Sequence, residues 1–144
     1  MDETGMYVGW SDGACIGNPG PMGIGGTLRD PDGNEIAQFS IPLCHGTNNE
    51  AEYRALHQLL ALAIACDAGS LHAHTDSELV AKQYSGEYKV HQENIQQLLD
   101  ELKWFSKCLP GGLTVEWVPR SKNCIADALA GRAAQRARRQ TSKH

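Results

Sequence analysis

The chain has 144 residues, which suits one globular domain and requires no second one. Its 13 basic and 17 acidic side chains give a formal net charge of -4, and its longest apolar stretch, residues 59–66, is far too short to span a bilayer. We therefore expect a single domain over residues 1–140, with a frayed tail at 141–144, in a soluble cytoplasmic protein that has no membrane association.

The five cysteines are scattered along the chain, with no Cys-x-x-Cys pair and no histidines at zinc-ligand spacing. This odd number indicates reduced thiols rather than disulfides. A nucleophilic cysteine is the alternative. Free cysteine generally behaves as a small buried apolar group, and we expect that role here.

Alternating side chains predict three strands at the start of the chain. Residues 6–12 have the period of a strand and end in a carboxylate, Asp12. Residues 23–30 and 35–43 predict two further strands, joined by an Asp-Pro-Asp-Gly turn. The chain therefore opens with three antiparallel strands.

The rest of the chain alternates between helix and strand. In chain order, the patterns predict a helix at 48–67, a strand at 70–76, helices at 77–84 and 93–105, a strand at 113–118 and a helix at 123–139. Strands that are joined through helices pair in parallel. The order predicts an α/β domain in which a five-stranded mixed sheet is flanked by helices.

Two pairs of ring side chains have ordinary explanations. Trp104 and Phe105 close an amphipathic helix beside leucines, so we expect core positions, with stacking on nucleic acid as the alternative. His72 and His74 alternate on a predicted strand, and we expect them to be packed or partly exposed. We assign a metal to neither histidine.

The carboxyl-terminal end of the chain is basic. Seven of the 13 lysines and arginines follow Val118, where Asp127 is the only acid. Such a face can steer polyanions, although a solvated surface is the ordinary explanation.

Two neighbouring glutamates differ in the role that the helical pattern gives them. Glu52 shares the apolar stripe of the helix with Leu56 and Leu59, where an acid must be paired, protonated or bound to a cation. Glu50 lies three residues after Thr47, which fits a capping box. Glu50 therefore has a structural role, whereas Glu52 is a candidate functional acid.

Three further acids occur where they can meet Glu52. Asp12 and Asp76 each end a predicted strand, and Asp127 falls in the first turn of the final helix. Singly, Asp12 and Asp76 suit turns or caps, and Asp127 suits the positive end of a helix. Four acids in one crevice require cations between them, and oxygen ligands favour Mg²⁺ or Mn²⁺. Two such ions support phosphodiester hydrolysis, so the predicted chemistry is cleavage of nucleic acid.

Four segments resemble the type 1 ribonuclease H family in their order and setting: SDGACIGNPGPMGIGG, TNNEAEYRAL, HTDSELV and NCIADALA. The resemblance covers essentially the whole chain and implies a ribonuclease H-like fold. It further implies an enzyme that cleaves the RNA strand of RNA–DNA hybrids. The implied catalytic acids, which hold two Mg²⁺ ions or Mn²⁺ as a substitute, are Asp12, Glu52, Asp76 and Asp127.

The resemblance also implies contacts with the substrate. The glycine-rich segment lets backbone approach the RNA strand in the wide, shallow minor groove of an A-like hybrid. The implied substrate-binding residues are Gly13, Ala14, Cys15, Asn18, Thr47, Asn48, Asn49 and Arg120. Thr47 would help to seat a DNA phosphate, and Thr47 and Asn48 also suit helix capping.

Three features depart from the family pattern. Many members carry a histidine that shuttles protons in the loop before the last acid, whereas here residues 119–123 offer Arg120 and Lys122, which are poor bases near neutral pH. Many members insert a basic handle after the second helix, whereas here only residues 84–94 join the helices, as in the compact branch. Glu78 stands where many members have glutamine, and an extra acid there would weaken binding or alter ion preference.

Three functions are compatible with these residues. The leading hypothesis is an endonuclease on RNA–DNA hybrids. The alternatives are a broader duplex nuclease that also cuts double-stranded RNA, and a hybrid-binding module that has lost catalysis. Retention of all four acids argues against the module.

We expect a monomer without an obligate protein partner.

Overall fold

A computed structural model describes residues 5–142. The strands are β1 (Met6–Cys15), β2 (Gly20–Arg29), β3 (Glu35–Gly46), β4 (Ser70–Thr75) and β5 (Leu113–Trp117). The helices are α1 (Asn48–Ala65), α2 (Glu78–Ser85), α3 (Glu93–Ser106) and α4 (Cys124–Ser142), and a 3₁₀ turn (Arg120–Lys122) precedes α4. The predicted α/β fold and the order of its elements are confirmed.

The sheet has the strand order β3-β2-β1-β4-β5. β1, β2 and β3 pair antiparallel, whereas β4 pairs parallel with both β1 and β5. This is the predicted mixed sheet. Ser11 of β1 pairs with Thr75 of β4, so the next residues, Asp12 within β1 and Asp76 directly after β4, lie side by side at the carboxyl end of β4.

Helix α1 packs on one face of the sheet and forms the main core. Its buried side chains include Tyr53, Leu56 and Leu59, which join leucines of α3 and of the strands. A Cβ at Gly9 would lie 2.7 Å from the Leu59 methyl carbons, so the small residue on β1 admits the helix. The apolar stripe of α1 thus faces β1. The predicted end of this strand at Asp12 is wrong, because β1 continues to Cys15 and carries Asp12 three residues before its end.

Helix α4 packs on the other face, over β2, β3 and β1. A Cβ at Gly25 would lie 2.4 Å from the backbone nitrogen of Ala130, so the helix contacts the sheet almost backbone to backbone. Arg136, one of the basic residues of this helix, donates through Nη2 to the carbonyl oxygen of Ser40, 2.6 Å away. At least this part of the predicted basic face is therefore engaged within the fold.

The structure differs from the sequence predictions at several positions. Trp104 and Phe105 are exposed, because the buried face of α3 is formed by its leucines and Ile95. The five cysteines are free, as predicted, but four of them are exposed and Cys15 is half-buried. These thiols are therefore not the small core groups that the sequence suggested.

The predicted frayed tail at 141–144 falls partly within α4. Thr141 and Ser142 are helical, and the hydroxyl of Thr141 donates to the carbonyl oxygen of Ala137, 2.9 Å away. Residues 143 and 144 lie outside the described part of the chain. Between residues 5 and 142, no helix combines the length and the apolar content that crossing a bilayer requires.

Candidate active site

Asp12 and Glu52 meet because helix α1 crosses β1 at close range. Asp12 is buried, with 4% of its surface exposed. The backbone N–H of Gly13 donates a 2.7 Å hydrogen bond to Oε1 of Glu52. A Cβ at Gly13 would lie 2.3 Å from the carbonyl carbon of Ala51, so only glycine fits there. The sequence interpretation assigned this glycine to the approach of nucleic acid, whereas the backbone that approaches it is that of α1.

Asp76 is positioned by a buried asparagine that precedes α4. Nδ2 of Asn123 lies 3.0 Å from the carbonyl oxygen of Ser11 and 3.3 Å from Oδ2 of Asp76. Asn123 thereby ties the start of α4 to the ends of β1 and β4. Asn123 is not predicted from the sequence, because an asparagine before a predicted helix indicates no more than a cap.

Asp127 lies in the first turn of α4, as predicted, at the rim of the site. Its Oδ1 accepts a 3.0 Å hydrogen bond from Nη2 of Arg120. Asp127 is 34% exposed and Arg120 is 78% exposed. The loop before α4 therefore places a cation on the outermost acid.

The acids affect one another's protonation. Burial, together with the charges of Glu52 and Asp76, raises the pKa of Asp12 to about 10. Burial also raises the pKa of Glu52 to about 7, although the Gly13 hydrogen bond opposes that change. Burial acts to raise the pKa of Asp127 as well, but hydrogen bonds with Asp12 and Arg120 outweigh it and lower the pKa. Without a cation, the protonated form is therefore favoured at Asp12 and the ionised form at Asp127.

The donor set fits a divalent cation. One carboxylate oxygen from each of Asp12, Glu52 and Asp76 lies within 4.8 Å of the others. In residues 5–142, Oδ1 of Asn123 is a buried side-chain oxygen without a hydrogen-bond partner. Oxygen donors without sulfur or imidazole suit Mg²⁺ or Mn²⁺. The structure thus brings three of the four predicted acids into one cluster, and places Asp127 beside it.

The glycine-rich segment forms the end of β1 and the turn that follows it. Ala14 and Cys15 are half-buried on β1, and the Cys15 thiol donates to the carbonyl oxygen of Gly46, 3.1 Å away. Asn18 is exposed in the turn, and its Oδ1 accepts from the backbone N–H of Asn48, 3.1 Å away. These proposed substrate residues form one surface next to the start of α1.

Thr47 caps α1 as the capping-box pattern predicts. Its hydroxyl oxygen accepts from the backbone N–H of Glu50, and the hydroxyl donates to Oε1 of Glu50 at 3.3 Å. Glu50 is therefore engaged at the cap, whereas Glu52, two residues later, enters the acid cluster. The predicted difference between the two glutamates is present in the structure.

A groove of about 530 Å³ extends from this surface toward the α2–α3 connection. Thr47, Asn49 and Asn18 line one side of it, and Lys89 and His91 belong to the other lining residues. Lys89 and His91 are not predicted from the sequence, in which this connection stands out only because it lacks the basic handle. Their contribution depends on how the short connection folds toward α1.

The negative charge of Glu78, where many family members have glutamine, is partly balanced by a neighbouring lysine. Oε2 of Glu78, the first residue of α2, lies 3.7 Å from Nζ of Lys82 one helical turn later. Glu78 is 57% exposed. Its charge is therefore shared with a lysine of its own helix.

Comparison with known proteins gives consistent matches. Residues 10–133 match the family described as "Reverse transcriptase-like". Ribonuclease HI of Halobacterium salinarum is 35% identical over 136 residues, covering 92% of this chain and 66% of that protein. The bifunctional protein Rv2228c of Mycobacterium tuberculosis is 35% identical over 124 residues, covering 85% of this chain and 34% of that protein. The chain thus spans about two thirds of one curated relative and about one third of the other.

Solved structures agree with this result. The amino-terminal ribonuclease H domain of Rv2228c superposes with a TM-score of 0.89 at 33% identity, covering 94% of this chain and 98% of that one. LC11-RNase H1 in complex with an RNA/DNA hybrid superposes with a TM-score of 0.79 at 31% identity, covering 91% of this chain and 98% of that one.

The mixed sheet and the acids at the edge of its central strands define a ribonuclease H-like domain. All four segments of the sequence resemblance lie in the elements that build this edge. The chain belongs to the type 1 ribonuclease H family.

Proposed function

We propose that this chain is a metal-dependent endonuclease that hydrolyses the RNA strand of RNA–DNA hybrids. The observation that carries the proposal is the cluster of Asp12, Glu52 and Asp76, whose carboxylate oxygens lie within 4.8 Å of one another. The hybrid bound to LC11-RNase H1 supports the substrate class, because that protein shares the fold and 31% of the aligned residues.

Asp12, Glu52 and Asp76 would hold the divalent ions, with Asp127 at the outer side of the site. When bound, two Mg²⁺ or Mn²⁺ ions supply activation of the attacking water and stabilisation of the leaving oxygen of a phosphodiester. The chain itself keeps three carboxylates converged against their mutual repulsion, through the Gly13 N–H on Glu52 and the Asn123 amide on Asp76.

The surface beside the acids suits an A-like duplex. Asn18 and Asn48 are exposed next to the end of β1, where polar groups can contact 2′-hydroxyls and sugars without reading bases. The groove with Thr47 and Lys89 offers a capped helix start and a cation for the phosphates of the second strand. This arrangement supports recognition by the shape of the duplex.

A cleavage panel tests the proposal. Labelled RNA–DNA, RNA–RNA and DNA–DNA duplexes are incubated with the protein and Mg²⁺ or Mn²⁺, beside Asp76→Asn as the inactive variant. We expect internal cuts in the RNA of the hybrid that require metal and vanish in Asp76→Asn. Equal cleavage of double-stranded RNA would favour the broader nuclease, and metal-independent hybrid binding without cleavage would favour the module. Cleavage by Asp76→Asn at the wild-type rate would contradict the assignment of the site.

A further inference from the structure

A second cluster of potential metal ligands lies on the sheet, away from α1. His72 and His74 point to the same side of β4 because alternate residues of a strand share a face. The parallel register pairs His72 with Thr114 and His74 with Glu116 on β5. Nε2 of His72 lies 2.8 Å from Oε1 of Glu116, and Nε2 of His74 lies 3.7 Å from the same oxygen. Two imidazoles and one carboxylate thus converge on a single point.

The orientation of His74 is fixed by a neighbouring strand. Its Nδ1 lies 3.0 Å from the carbonyl oxygen of Gly9, which can only accept, so Nδ1 carries the proton. Its ring also stacks on Trp10, with centroids 4.7 Å apart. In the neutral imidazole, Nε2 therefore presents a lone pair toward Glu116. A lone pair that faces a carboxylate is unfavourable, and either a proton on Nε2 or a cation between the two groups removes the repulsion.

His72 has a comparable arrangement. Its Nδ1 lies 2.6 Å from the hydroxyl oxygen of Thr114, which leaves Nε2 directed at Glu116. Histidines that bind metals generally hydrogen-bond their second nitrogen to a carbonyl or another polar group, which fixes the ring. Gly9 and Thr114 supply this support to the two rings.

We propose that His72, His74 and Glu116 form a binding site for a divalent transition metal of the zinc class. Two nitrogens and one oxygen suit Zn²⁺, Co²⁺ or Ni²⁺ better than Mg²⁺. Glu116 is 56% exposed and His72 is 28% exposed, so a fourth position is open to water. The site differs from the carboxylate cluster in its donors and its place.

The two sites share strand β4. His74 precedes Asp76 by two residues, a separation of about 7 Å along a strand. A metal ion bound by His72, His74 and Glu116 would link β4 to β5 close to Asp76, which directly follows β4. Binding there therefore stabilises the edge that holds Asp76, without replacing any catalytic acid.

Cobalt serves as the probe, because its visible absorption reports the coordinating atoms. The full chain is titrated with Co²⁺ in excess Mg²⁺, which occupies the carboxylate cluster, and binding is followed by absorption and by calorimetry. We expect one Co²⁺ per chain, d–d bands without thiolate charge transfer, and a higher melting temperature.

Variants separate this site from the other ligands of the chain. Glu116→Gln and His74→Gln should weaken Co²⁺ binding by at least about tenfold, and Thr114→Val, which removes the partner of His72, by roughly tenfold. His45→Gln, which removes an exposed histidine of β3, should leave binding unchanged, as should Asp12→Asn. Circular dichroism establishes that each variant is folded.

Three outcomes would overturn the proposal. The first is the absence of Co²⁺ binding at about one site per chain, which would leave a plain His72–Glu116 ion pair. The second is thiolate charge transfer, which would place the metal on the cysteines, or full affinity in Glu116→Gln, which would show that Glu116 is not a ligand. The third is loss of binding in Asp12→Asn, which would place the cobalt among the catalytic acids.

Discussion

Arg120 and Asp127 form an ion pair at the rim of the acid cluster, with 3.0 Å between Nη2 and Oδ1. The guanidinium competes with a divalent cation for the carboxylate. Arg120→Ala should therefore lower the Mg²⁺ concentration for half-maximal cleavage, by about two- to fivefold, the range expected for an exposed ion pair. A Mg²⁺ titration of the initial cleavage rate measures this change.

Lys122→Ala is the matched control, because it removes a cation from the same 3₁₀ turn, and Arg120 is the residue paired with Asp127. We expect its Mg²⁺ dependence to equal that of the wild type. Equal shifts in both variants would show that the general positive charge of the loop, and not the Arg120–Asp127 pair, sets the metal dependence.

Glu52→Gln should abolish cleavage in a folded protein, whereas Glu50→Gln should retain most activity. Glutamine at position 52 can still accept from Gly13 N–H through its carbonyl oxygen, but it lacks the charge that a cation requires. Glutamine at position 50 can still interact with the Thr47 hydroxyl at the cap. Cleavage rates and thermal unfolding of the two variants test the contrast. Equal losses of activity would refute the distinct roles of the two glutamates.

The raised pKa values of Asp12 and Glu52 predict that the metal-free protein loses stability as pH rises. Their folded pKa values, about 10 and about 7, lie above the usual values near 4, so the folded state binds more protons than the unfolded state. This contribution is fully present below about pH 4 and declines as pH rises through the folded pKa of Glu52. Asp12→Asn removes one acid from the cluster and should reduce the decline.

Thermal unfolding in a chelator from about pH 5 to about pH 8 measures this effect. The variant should gain melting temperature relative to the wild type as pH rises, and Mg²⁺ should narrow the difference by binding the wild type. A constant difference across this range would mean that Asp12 is not held in its protonated form by its neighbours.

The helices and strands, and the positions of Glu52 and Asp12 on them, could be predicted because each depends on local sequence. The helical period alone places Glu52 on the buried stripe of α1, and strand alternation places Asp12 on β1, although this strand continues to Cys15. Asn123 could not be predicted, because its partner Ser11 is 112 residues away. The same limit applies to Glu116, whose position opposite His74 depends on the parallel register of β4 and β5.

Lys89→Ala should weaken hybrid binding and make it less dependent on salt. Lys89 lines the groove beside Thr47, and the loss of one phosphate contact should reduce the slope of log affinity against log salt by up to about one. Lys107→Ala is the control, since it removes the same charge at the far end of α3, a helix about 21 Å long that begins four residues after Lys89. Affinity for the hybrid, measured at several salt concentrations, gives the slope for each variant. Identical slopes in both variants would mean that the groove does not hold a phosphate.

The last prediction concerns proton transfer at Asp127. The side chain at position 120 reaches this acid, but a guanidinium remains protonated at neutral pH and cannot exchange a proton during cleavage. Histidine titrates near neutral pH, so Arg120→His should raise kcat while hybrid KM changes little. A positioned acid–base group typically contributes about 10²- to 10⁴-fold, so the gain in kcat should not exceed about 10⁴-fold.

Lys122→His places the same group in the same turn without a bond to Asp127, and kcat should stay at the wild-type value. The rate of Arg120→His should also acquire a dependence on pH near the pKa of imidazole, about 6.5, which the Arg120→Ala rate lacks. If Arg120→His and Arg120→Ala have the same kcat and the same pH profile, position 120 does not transfer protons. Its role would then be limited to the charge that it places on Asp127.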